Sequence, residues 1–529
     1  MRIGVDVGGT NTDAVLLNGS SVLGWCKSAT ETDIGSSVLT SVGRLLDDCD
    51  CDPSSVSDVM VGTTQFTNGL LERKGLLEVA VLRLASPSGH SVPPKIGWPG
   101  PLSAAIGDHV FLLPGGYEFD GREIAPLDEA GTRRAAREIR RRGLRTAAIS
   151  SVFAPLNAAM EKRAAAILST EVPGISVTLS SHMGRIGLYE RENSAILNAS
   201  LAGLSRRVTE SLHGALSKLG VRARLHISQN DGTLMKSECV RNHPIFTLAS
   251  GPTNSMRGAA LLSGLREAVV VDIGGTTCDL GVLRKGFPRE SARDVEFAGV
   301  CTNFRMPDIL SIAVGGGSIV HGTELPRPGA SLDSGGISIG PQSVGSRLAH
   351  KALIFGGDTL TATDVAVAAN RELNIGDRSR VETIPGELVE RLESKIHRLV
   401  ENALLKMETG AEALPIVLVG GGSVLIRRPL LGDEHPIRPN FAPVANAVGA
   451  AIAQVGGEVD RVYSYRKTPR DQALRDARRC AVGRVVQAGG VRDAVRFVEL
   501  EEIPLNYLPG EAVRIRAKAV SDLANPTEH

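Results

Sequence analysis

The chain has 529 residues, of which 42% are hydrophobic and 22% are charged, and its formal net charge is +1. This is the composition of an ordinary globular protein that is long enough for two large domains and an appendage. The near-neutral charge and the aromatic content of 3% argue against a nucleic acid or an anionic membrane as partner.

The first predicted element is a β-hairpin at the start of the chain. An apolar strand at residues 3–7 contains Asp6, and after the tip a second apolar run follows at residues 14–17. The tip is Gly8-Gly9-Thr10-Asn11-Thr12. Glycines let backbone N–H groups close on an anion, and threonines add hydroxyl donors. Because this strand leaves no room for a signal peptide and no apolar run approaches the roughly 18 residues of a membrane helix, we expect a cytoplasmic protein.

The rest of the first half alternates predicted strands with predicted helices. Strands are expected at residues 58–61, 77–84, 146–153 and 175–179, and helices at residues 34–46 and 128–142. The Pro/Gly-rich stretch 87–114 is predicted to be a surface loop. Alternation of this kind favours a doubly wound sheet. A long helical region at residues 189–219 marks the passage to the second half.

The second half repeats the opening motif. Strands are predicted at residues 225–228, 245–248, 268–272 and 415–419, and helices at residues 363–371, 385–407 and 446–455. The strand at 268–272 ends in Asp272 and leads into the tip Gly274-Gly275-Thr276-Thr277. Asp272 follows Asp6 by 266 residues, about half the chain, which predicts two related half-molecules that face each other.

Two such hairpins are suited to clamp one nucleotide. An aspartate at the end of a buried strand beside an anion-binding loop is placed to hold Mg²⁺ through water. We therefore predict that the two tips bind the phosphates of ATP. Asp6 and Asp272 are predicted to be the metal ligands and the catalytic carboxylates, or one of them the base. The sequence contains neither a Walker A motif nor GxGxxG, which excludes a P-loop and leaves NAD without its fingerprint.

Two further glycine triplets follow predicted strands. Gly420-Gly421-Gly422 precedes a predicted helix and is expected to lie against the adenosine of the cofactor. For Gly315-Gly316-Gly317 the alternatives of phosphate contact and plain loop stay open. The seven cysteines are odd in number and scattered, which argues against a disulfide framework. Magnesium is the only metal that the sequence supports.

One segment carries a family resemblance. Residues 61–75, VGTTQFTNGLLERKG, resemble the GTT-x-x-TN-x-LLERKG segment of the ATP-binding hydantoinase A/oxoprolinase family, a branch of the actin-like, sugar-kinase-like ATPase fold. Residues 229–232 are similar to its NGG segment, Ser250-Gly251-Pro252 to its SGPAGG segment, and residues 360–364 to its TVTDA segment. The resemblance covers residues 1 to about 455. It implies a role in substrate binding for four residues, namely Thr64, Asn68, Asn230 and Gly316.

The chain departs from the family pattern at three places. Leu310 replaces the histidine of LDIHTIGAGGGSIA, and no DPGPACYG stretch is recognisable between Gly345 and Phe355. The segment Gly251-Pro252-Thr253-Asn254 lacks the paired glycines of SGPAGG. We therefore expect this chain to bind a nucleotide as the family does, but we do not expect hydantoin or oxoproline as its substrate.

The predicted architecture is α/β, with two related actin-like (ribonuclease H-like) domains around a nucleotide cleft and a small C-terminal α+β appendage. The predicted segments are residues 1–188, 189–457 and 458–529, the last holding a helix at 471–486 and strands at 495–500 and 512–517. The resemblance implies that ATP and Mg²⁺ activate a small amide, imide, lactam or carbonyl substrate by phosphorylation. A second catalytic subunit, hydantoinase B-like or other, would then open or carboxylate it, and we expect an oligomer. The alternatives are a small-molecule kinase and a non-catalytic ATPase activator or assembly protein.

Overall fold

The computed structural model describes residues 1–291, 295–322, 336–407, 414–431, 435–506 and 510–524. The strands in these ranges are β1 Arg2–Val7, β2 Asn11–Asn18, β3 Ser21–Ala29, β4 Asp58–Thr63, β5 Val79–Ser86, β6 His109–Pro114, β7 Thr146–Ser151, β8 Ser176–Leu179, β9 Arg224–Ser228, β10 Thr233–Lys236, β11 Ala268–Ile273, β12 Cys278–Arg284, β13 Phe287–Pro288, β14 Val295–Phe297, β15 Val300–Thr302, β16 Ile309–Ile312, β17 Ser318–His321, β18 Ser338–Ser343, β19 Ile416–Val419, β20 Gln454–Ser464, β21 Arg496–Pro504 and β22 Ala512–Ser521. The helices are α1 Ile34–Asp48, α2 Gln65–Leu71, α3 Gly100–Ile106, α4 Glu129–Arg141, α5 Ala159–Glu171, α6 Leu188–Ser200, α7 Ala202–Lys218, α8 Ser237–Val240, α9 Ser250–Ser263, α10 Leu348–Lys351, α11 Ala362–Ala369, α12 Gly386–Lys406, α13 Ala445–Ala451 and α14 Arg470–Gln487.

A nine-stranded sheet, here called the first sheet, has the order β21-β22-β20-β10-β9-β4-β1-β2-β3. β1 pairs antiparallel with β2 and parallel with β4. Ile3, Val5 and Val7 of β1 point into one core, while Gly4 lies against α13 on the opposite face. Because β1 is covered on both faces, its sequence is almost continuously apolar, as in parallel sheets.

The second sheet repeats this arrangement around the second hairpin. Its order is β13-β12-β11-β19, and β16 also pairs with β12. β11 pairs antiparallel with β12 and parallel with β19, just as β1 pairs with β2 and β4. Val269, Val271 and Ile273 face the core under α12, and Val270 faces α9. The sequence repeat is therefore a repeat of strand topology.

Two helices, α9 and α13, lie between the first and second sheets. α13 packs on β1 and β4, and α9 packs on β11, β12 and β19. The two helices cross with their backbones in contact, because a Cβ on Gly258 would clash with the carbonyl of Ala445 and one on Gly449 would clash with the carbonyl of Asn254. Glycine is needed at both positions for this close approach.

A third sheet, with the order β6-β5-β7-β8, is parallel throughout. It corrects one prediction, since residues 87–114 are not simply a surface loop. They contain α3 and β6, and Trp98, Leu102 and Ile106 are buried in the core. Pro and Gly dominate this stretch, but its few large apolar residues have the spacing of a helix face.

Three other predicted elements differ from the structure. The strand predicted at 245–248 is a 3₁₀ turn, Pro244–Thr247, that begins with proline. The helix predicted at 446–455 ends at Ala451, and β20 begins at Gln454. The helix expected after Gly420-Gly421-Gly422 is only the 3₁₀ turn Gly421–Leu425. Gly410, which follows the helix predicted at residues 385–407, lies outside the described residues.

The first sheet contains strands from all three predicted segments of the chain. β20, β21 and β22 extend it beyond β10, and α14 covers them. A buried lysine joins these strands to the rest, since Lys518 Nζ lies 2.9 Å from Asp231 Oδ2 and 3.0 Å from Glu290 Oε1. The boundaries at 188 and 457 stay predictions. Among the described residues, none of the helices is both long and apolar enough to cross a membrane.

Candidate active site

The two hairpins have the same local geometry. In the first, the N–H of Gly8 donates to the carbonyl of Asn11 over 3.1 Å, and in the second the N–H of Gly274 donates to the carbonyl of Thr277 over 2.9 Å. These four positions correspond at the offset of 266 residues found in the sequence. The repeated Gly-Gly-Thr sequence thus folds into one kind of turn.

The tips of the hairpins meet. A Cβ on Gly275 would lie 3.5 Å from Oγ1 and Cγ2 of Thr10, which is ordinary contact distance. Among the described residues, the N–H groups of Gly9, Thr10, Gly275 and Thr276 have no hydrogen-bond partner. Free N–H groups at such turns are donors for an anion. The two tips therefore present free donors side by side, and their binding of phosphate stays a prediction.

Asp6 lies directly behind the first tip and is buried. Its Oδ2 accepts a hydrogen bond of 3.0 Å from Asn446 on α13, and its Oδ1 accepts one of 3.5 Å from Asn254 on α9. Asp13 faces it across the hairpin. Burial, and then the neighbouring charge of Asp13, raise the pKa of Asp6 to about 6. A carboxylate with a raised pKa can exchange a proton near neutral pH.

Asp272 occupies the equivalent position in the second hairpin, opposite Asp279. Burial raises its pKa to about 7, the hydroxyl of Ser255 opposes this by hydrogen bonding to it, and the charges of Asp279 and Asp6 raise the pKa further. Asp6 and Asp272 are therefore close enough to interact electrostatically. Their predicted roles as metal ligands and catalytic carboxylates stay predictions.

The charges at this site are not balanced by the protein. Four carboxyl groups surround it, and Lys27 forms an ion pair with one of them, Asp13. No cluster of three or more His, Cys, Asp or Glu side chains that would hold a metal occurs within the described ranges. Two carboxylates beside free N–H donors suit Mg²⁺, which keeps much of its water shell and uses substrate phosphates as ligands. The donor set therefore fits the predicted ion.

Two glycine loops close around the second tip. Gly420 has a φ of +84°, and a Cβ there would clash with Asp272. The N–H of Gly316 donates to the carbonyl of Gly274 over 3.0 Å, and the N–H of Gly317 donates to that of Gly275 over 2.7 Å. Both triplets thus lie beside the second tip. The adenosine contact of Gly420-Gly421-Gly422 stays a prediction.

Other predicted site residues are held inside the protein. The side chain of Thr12 is fully buried and its hydroxyl hydrogen-bonds to that of Thr30 over 3.0 Å, so it braces the first hairpin and is not accessible to a nucleotide. Asn230 is buried, and its Nδ2 donates to the carbonyl of Arg305 over 2.8 Å. The carbonyl of Gly316 accepts from the hydroxyl of Thr363 over 2.8 Å. The contacts of Asn230 and Gly316 stabilise loops, and their substrate roles stay predictions.

Thr64 and Asn68 lie beside the first tip. Thr64 follows β4, and its N–H donates to the carbonyl of Val7 over 3.3 Å. Asn68 is one turn further along, in α2, and both side chains are partly exposed. Thr64 precedes the helix without forming a side-chain cap. This position, next to Asp6 and open to solvent, is compatible with the predicted substrate role.

Sequence reasoning missed four residues of the site, which are Lys27, Asn254, Ser255 and Asn446. Asn446 is the polar exception in the small, apolar α13, and this isolation was a usable signal. Lys27 lies opposite Asp13 in the register of β2 and β3, so strand pairing would have identified it. No sequence signal connects Asn254 or Ser255 with the carboxylates.

Three further residues lie on or beside the second hairpin. Cys278 is fully buried, and burial raises the pKa of its thiol well above the ordinary value. Asp279 accepts hydrogen bonds from Ser311 and Thr277, in keeping with hairpin hydrogen bonding. Leu310, which replaces the histidine of the family pattern, lies on β16 opposite Leu280 and packs against the second core. An imidazole is thus replaced by an apolar contact.

These features define a class of protein. It is an α/β protein with two related halves whose glycine hairpins face each other. The chain belongs to the hydantoinase/oxoprolinase family, since residues 2–172 match the hydantoinase/oxoprolinase N-terminal region and residues 191–373 match the hydantoinase/oxoprolinase domain. The resemblance found in the sequence is confirmed.

The chain is similar to subunits of known enzymes. It is 26% identical to the caprolactamase subunit alpha of Pseudomonas jessenii over 86% of this chain and 70% of that protein. It is 28% identical to the acetophenone carboxylase gamma subunit of Aromatoleum aromaticum over 69% of this chain and 52% of that protein. Its fold matches the crystal structure of ATP-dependent caprolactamase with a TM-score of 0.77 at 20% identity, over 99% of this chain and 88% of that chain. The chain thus spans between half and seven tenths of these two curated relatives.

Proposed function

We propose that this protein uses ATP and Mg²⁺ to phosphorylate the carbonyl oxygen of a small amide, imide, lactam or ketone. The observation that carries the proposal is the pair of facing hairpins, each of which has an aspartate behind a tip with free N–H groups, Asp6 buried and Asp272 partly exposed. The names of the relatives support the substrate class, because they include a caprolactamase and an acetophenone carboxylase.

In phosphoryl transfer the protein mainly positions the reactants and neutralises their charge. The N–H groups of the tips would hold the phosphates, and Asp6 and Asp272 would hold Mg²⁺. The bound ion would neutralise the charge that develops on the transferred group. The substrate oxygen forms a bond to the γ-phosphorus as the bond to the β-phosphate oxygen breaks and ADP leaves. One carboxylate of the pair would take the proton that the amide nitrogen or the carbon next to the carbonyl loses.

We further propose that this protein is cytoplasmic and that a second subunit opens or carboxylates the activated substrate. The relatives are named as alpha and gamma subunits, which supports shared catalysis. The chain has a G-x-S-x-G sequence at Gly336–Gly340, but Ser338 begins β18 of an antiparallel hairpin. A nucleophilic serine of that motif requires a strand-turn-helix elbow instead. The caprolactamase relative makes lactam hydrolysis the leading reaction in this proposal, and the carboxylase relative supports ketone carboxylation as the alternative.

The test is product analysis after ATP turnover. The purified chain is incubated with ATP, Mg²⁺ and a panel of lactams, imides and ketones, with and without the co-encoded second subunit, and ADP and products are quantified by chromatography and ³¹P NMR. We expect slow ATP hydrolysis by the chain alone and faster turnover with one substrate class plus the partner. Failure to bind ATP at millimolar concentration, with the partner present, would refute the nucleotide site.

Two outcomes separate the alternatives. Ring opening at full rate by the isolated chain would refute shared catalysis while leaving ATP-dependent activation intact. A stable phosphorylated product that is released with the partner present would make the protein a small-molecule kinase. Phosphate as the sole product with every substrate would favour a non-catalytic ATPase.

A further inference from the structure

Two consecutive residues of one helix contact the two carboxylates of the site. Asn254 and Ser255 are both buried in α9, with exposed fractions of 0% and 2%. Asn254 Nδ2 donates to Asp6 Oδ1 over 3.5 Å, and the next residue, Ser255, places its hydroxyl near Asp272, where it lowers the pKa of that carboxyl. A single helix thus connects groups that lie 266 residues apart on different sheets.

The surroundings of Asn254 are built for this contact. Gly62 is the register partner of Asp6 in β4, and a Cβ there would clash with both the amide of Asn254 and the carboxyl of Asp6. Any other residue at position 62 would displace one of them. The backbone carbonyl of Asn254 is pressed against Gly449 of α13. Gly62 thus leaves room for the Asn254 side chain beside Asp6, and Gly449 leaves room for its backbone carbonyl.

Asn254 has a hydrogen-bonding group that is not used. Its Oδ1 is buried, and it has no hydrogen-bond partner within the described part of the chain. Leaving a buried polar group unsatisfied is destabilising, because the group loses its hydrogen bonds to water. The second oxygen of Asp6 is already taken by Asn446, so the free acceptor of Asn254 lies next to a carboxylate that the site offers to a cation. Water bound to a cation is a hydrogen-bond donor.

These two side chains are a departure from the family sequence. Counting along Ser250-Gly251-Pro252 of the SGPAGG segment places Asn254 and Ser255 where that segment has its paired glycines. Glycine has no side-chain donor, so it can make neither hydrogen bond. The contacts to Asp6 and Asp272 from α9 are therefore additions in this chain.

We propose that Asn254 and Ser255 are positioning residues that hold Asp6 and Asp272 toward one shared Mg²⁺, with the amide oxygen of Asn254 accepting a hydrogen bond from water on that ion. The inference rests on the proposed function, because it presumes a metal-nucleotide at the hairpins. Outer contacts of this kind orient metal ligands, and their loss weakens metal binding by roughly 10- to 100-fold.

The test measures metal binding directly rather than activity. Mn²⁺ is titrated by electron paramagnetic resonance in the presence of a non-hydrolysable ATP analogue, with wild type, Asn254→Gly, Ser255→Gly and the double variant. We expect each single variant to raise the Mn²⁺ dissociation constant about tenfold and the double variant more. Nucleotide binding in EDTA should change less than about twofold, since the tips are untouched.

Two control variants separate positioning from helix damage. Ala260→Gly puts the same helix-weakening residue further along α9, and Ser255→Thr keeps the hydroxyl. Both should bind Mn²⁺ within about threefold of wild type. The proposal is overturned if the double variant binds Mn²⁺ like wild type, or if Ala260→Gly weakens binding as much as Asn254→Gly does.

The failure of the proposed function would give a different result. In that case wild type itself would not bind the Mn²⁺-nucleotide. A double-mutant cycle of Asn254→Gly with Asp6→Asn, measured by urea unfolding in EDTA, then decides the positioning claim without any ligand. Measurable coupling between the two positions supports it, and additivity overturns it.

Discussion

Thr10 and Gly275 touch each other at the tips of hairpins that belong to different sheets. The contact is open enough to accept a methyl group, since a Cβ on Gly275 would lie 3.5 Å from Thr10 Oγ1. The two tips therefore meet across the halves of the chain, and substitutions here test packing and ligand binding separately.

A matched pair of glycine substitutions tests the packing of the second tip. Gly275→Ala should change the free energy of unfolding by less than about 1 kcal/mol. Gly315→Ala should destabilise the protein by roughly 2 kcal/mol or more, since its Cβ would lie 2.7 Å from Thr276 N and 2.8 Å from Gly274 O. Urea unfolding measures both. Equal stabilities would contradict the close packing of Gly315.

Asp6→Asn and Asp272→Asn test the carboxylate pair. Each should lower ATP turnover by at least about 100-fold, because asparagine keeps the shape but removes the charge that would hold the cation. Steady-state ADP release is measured beside circular dichroism and thermal melting, which should show an intact fold. Normal turnover in both variants would make the hairpins purely structural.

The raised pKa values predict a pH dependence of stability in EDTA. The carboxyl of Asp272 has a pKa of about 7 in the folded chain against an ordinary value of 3.8, so the native state binds the proton more tightly than the unfolded state does. The contribution of Asp272 to the free energy of unfolding should therefore be greatest below pH 4 and should fall as pH rises toward 7.

The matched variant for this effect is Asp272→Asn. Urea unfolding at several pH values should give a smaller loss between pH 4 and 7 than wild type shows, by roughly 1–3 kcal/mol. Millimolar Mg²⁺ with nucleotide should restore wild-type stability near pH 7. Identical pH profiles for wild type and the variant would show that burial does not raise the pKa of Asp272.

Asn446 links the site to α13. Its Nδ2 lies 3.0 Å from Asp6 Oδ2 and 2.9 Å from Asp13 Oδ2, so it donates to both carboxyl groups. Asn446→Ala should destabilise the protein by about 1–3 kcal/mol, more at pH 8 than at pH 5, because two buried carboxylates lose their shared donor. Chemical unfolding at both pH values measures this. A destabilisation that does not vary with pH would contradict the shared donor.

Lys518→Met tests how the C-terminal strands are joined to the rest. It leaves Asp231 and Glu290 without their buried cation, which should cost about 3–5 kcal/mol of stability. Arg516→Met, on the same strand and also near Glu290, keeps Lys518 and is the matched comparison. A larger loss for Arg516→Met would show that Lys518 is not the main counterion.

The sequence was sufficient to predict the local structure wherever a repeated motif decides it. The two Gly-Gly-Thr tips were predicted because a turn depends on a few neighbouring residues, and Asp6 and Asp272 were found because they hold the same place in both. The stretch 87–114 was misassigned because local composition outweighed its few buried residues. Asn254 and Ser255 were missed because they meet the carboxylates only after the two sheets close on α9.

The order of the first sheet was also beyond sequence reasoning. Pairing of β4 with β9 and of β10 with β20 joins segments that are far apart in the chain, and each strand alone carries no signal for its neighbour. The apolar patterns predicted most strands of the first sheet, but not β3, β10 or β20. Their partners depend on the packing of helices on both faces, which local patterns do not encode.

The pairing of β10 with β20 has a consequence for biosynthesis. The ribosome makes residue 236 long before residue 454, a separation of 218 residues, so the edge of β10 stays unpaired while the whole second sheet is synthesised. Long-range pairings of this kind slow folding, and an open strand edge invites aggregation. Expression yield should therefore respond to chaperones and low temperature more than the stability of the finished protein would suggest.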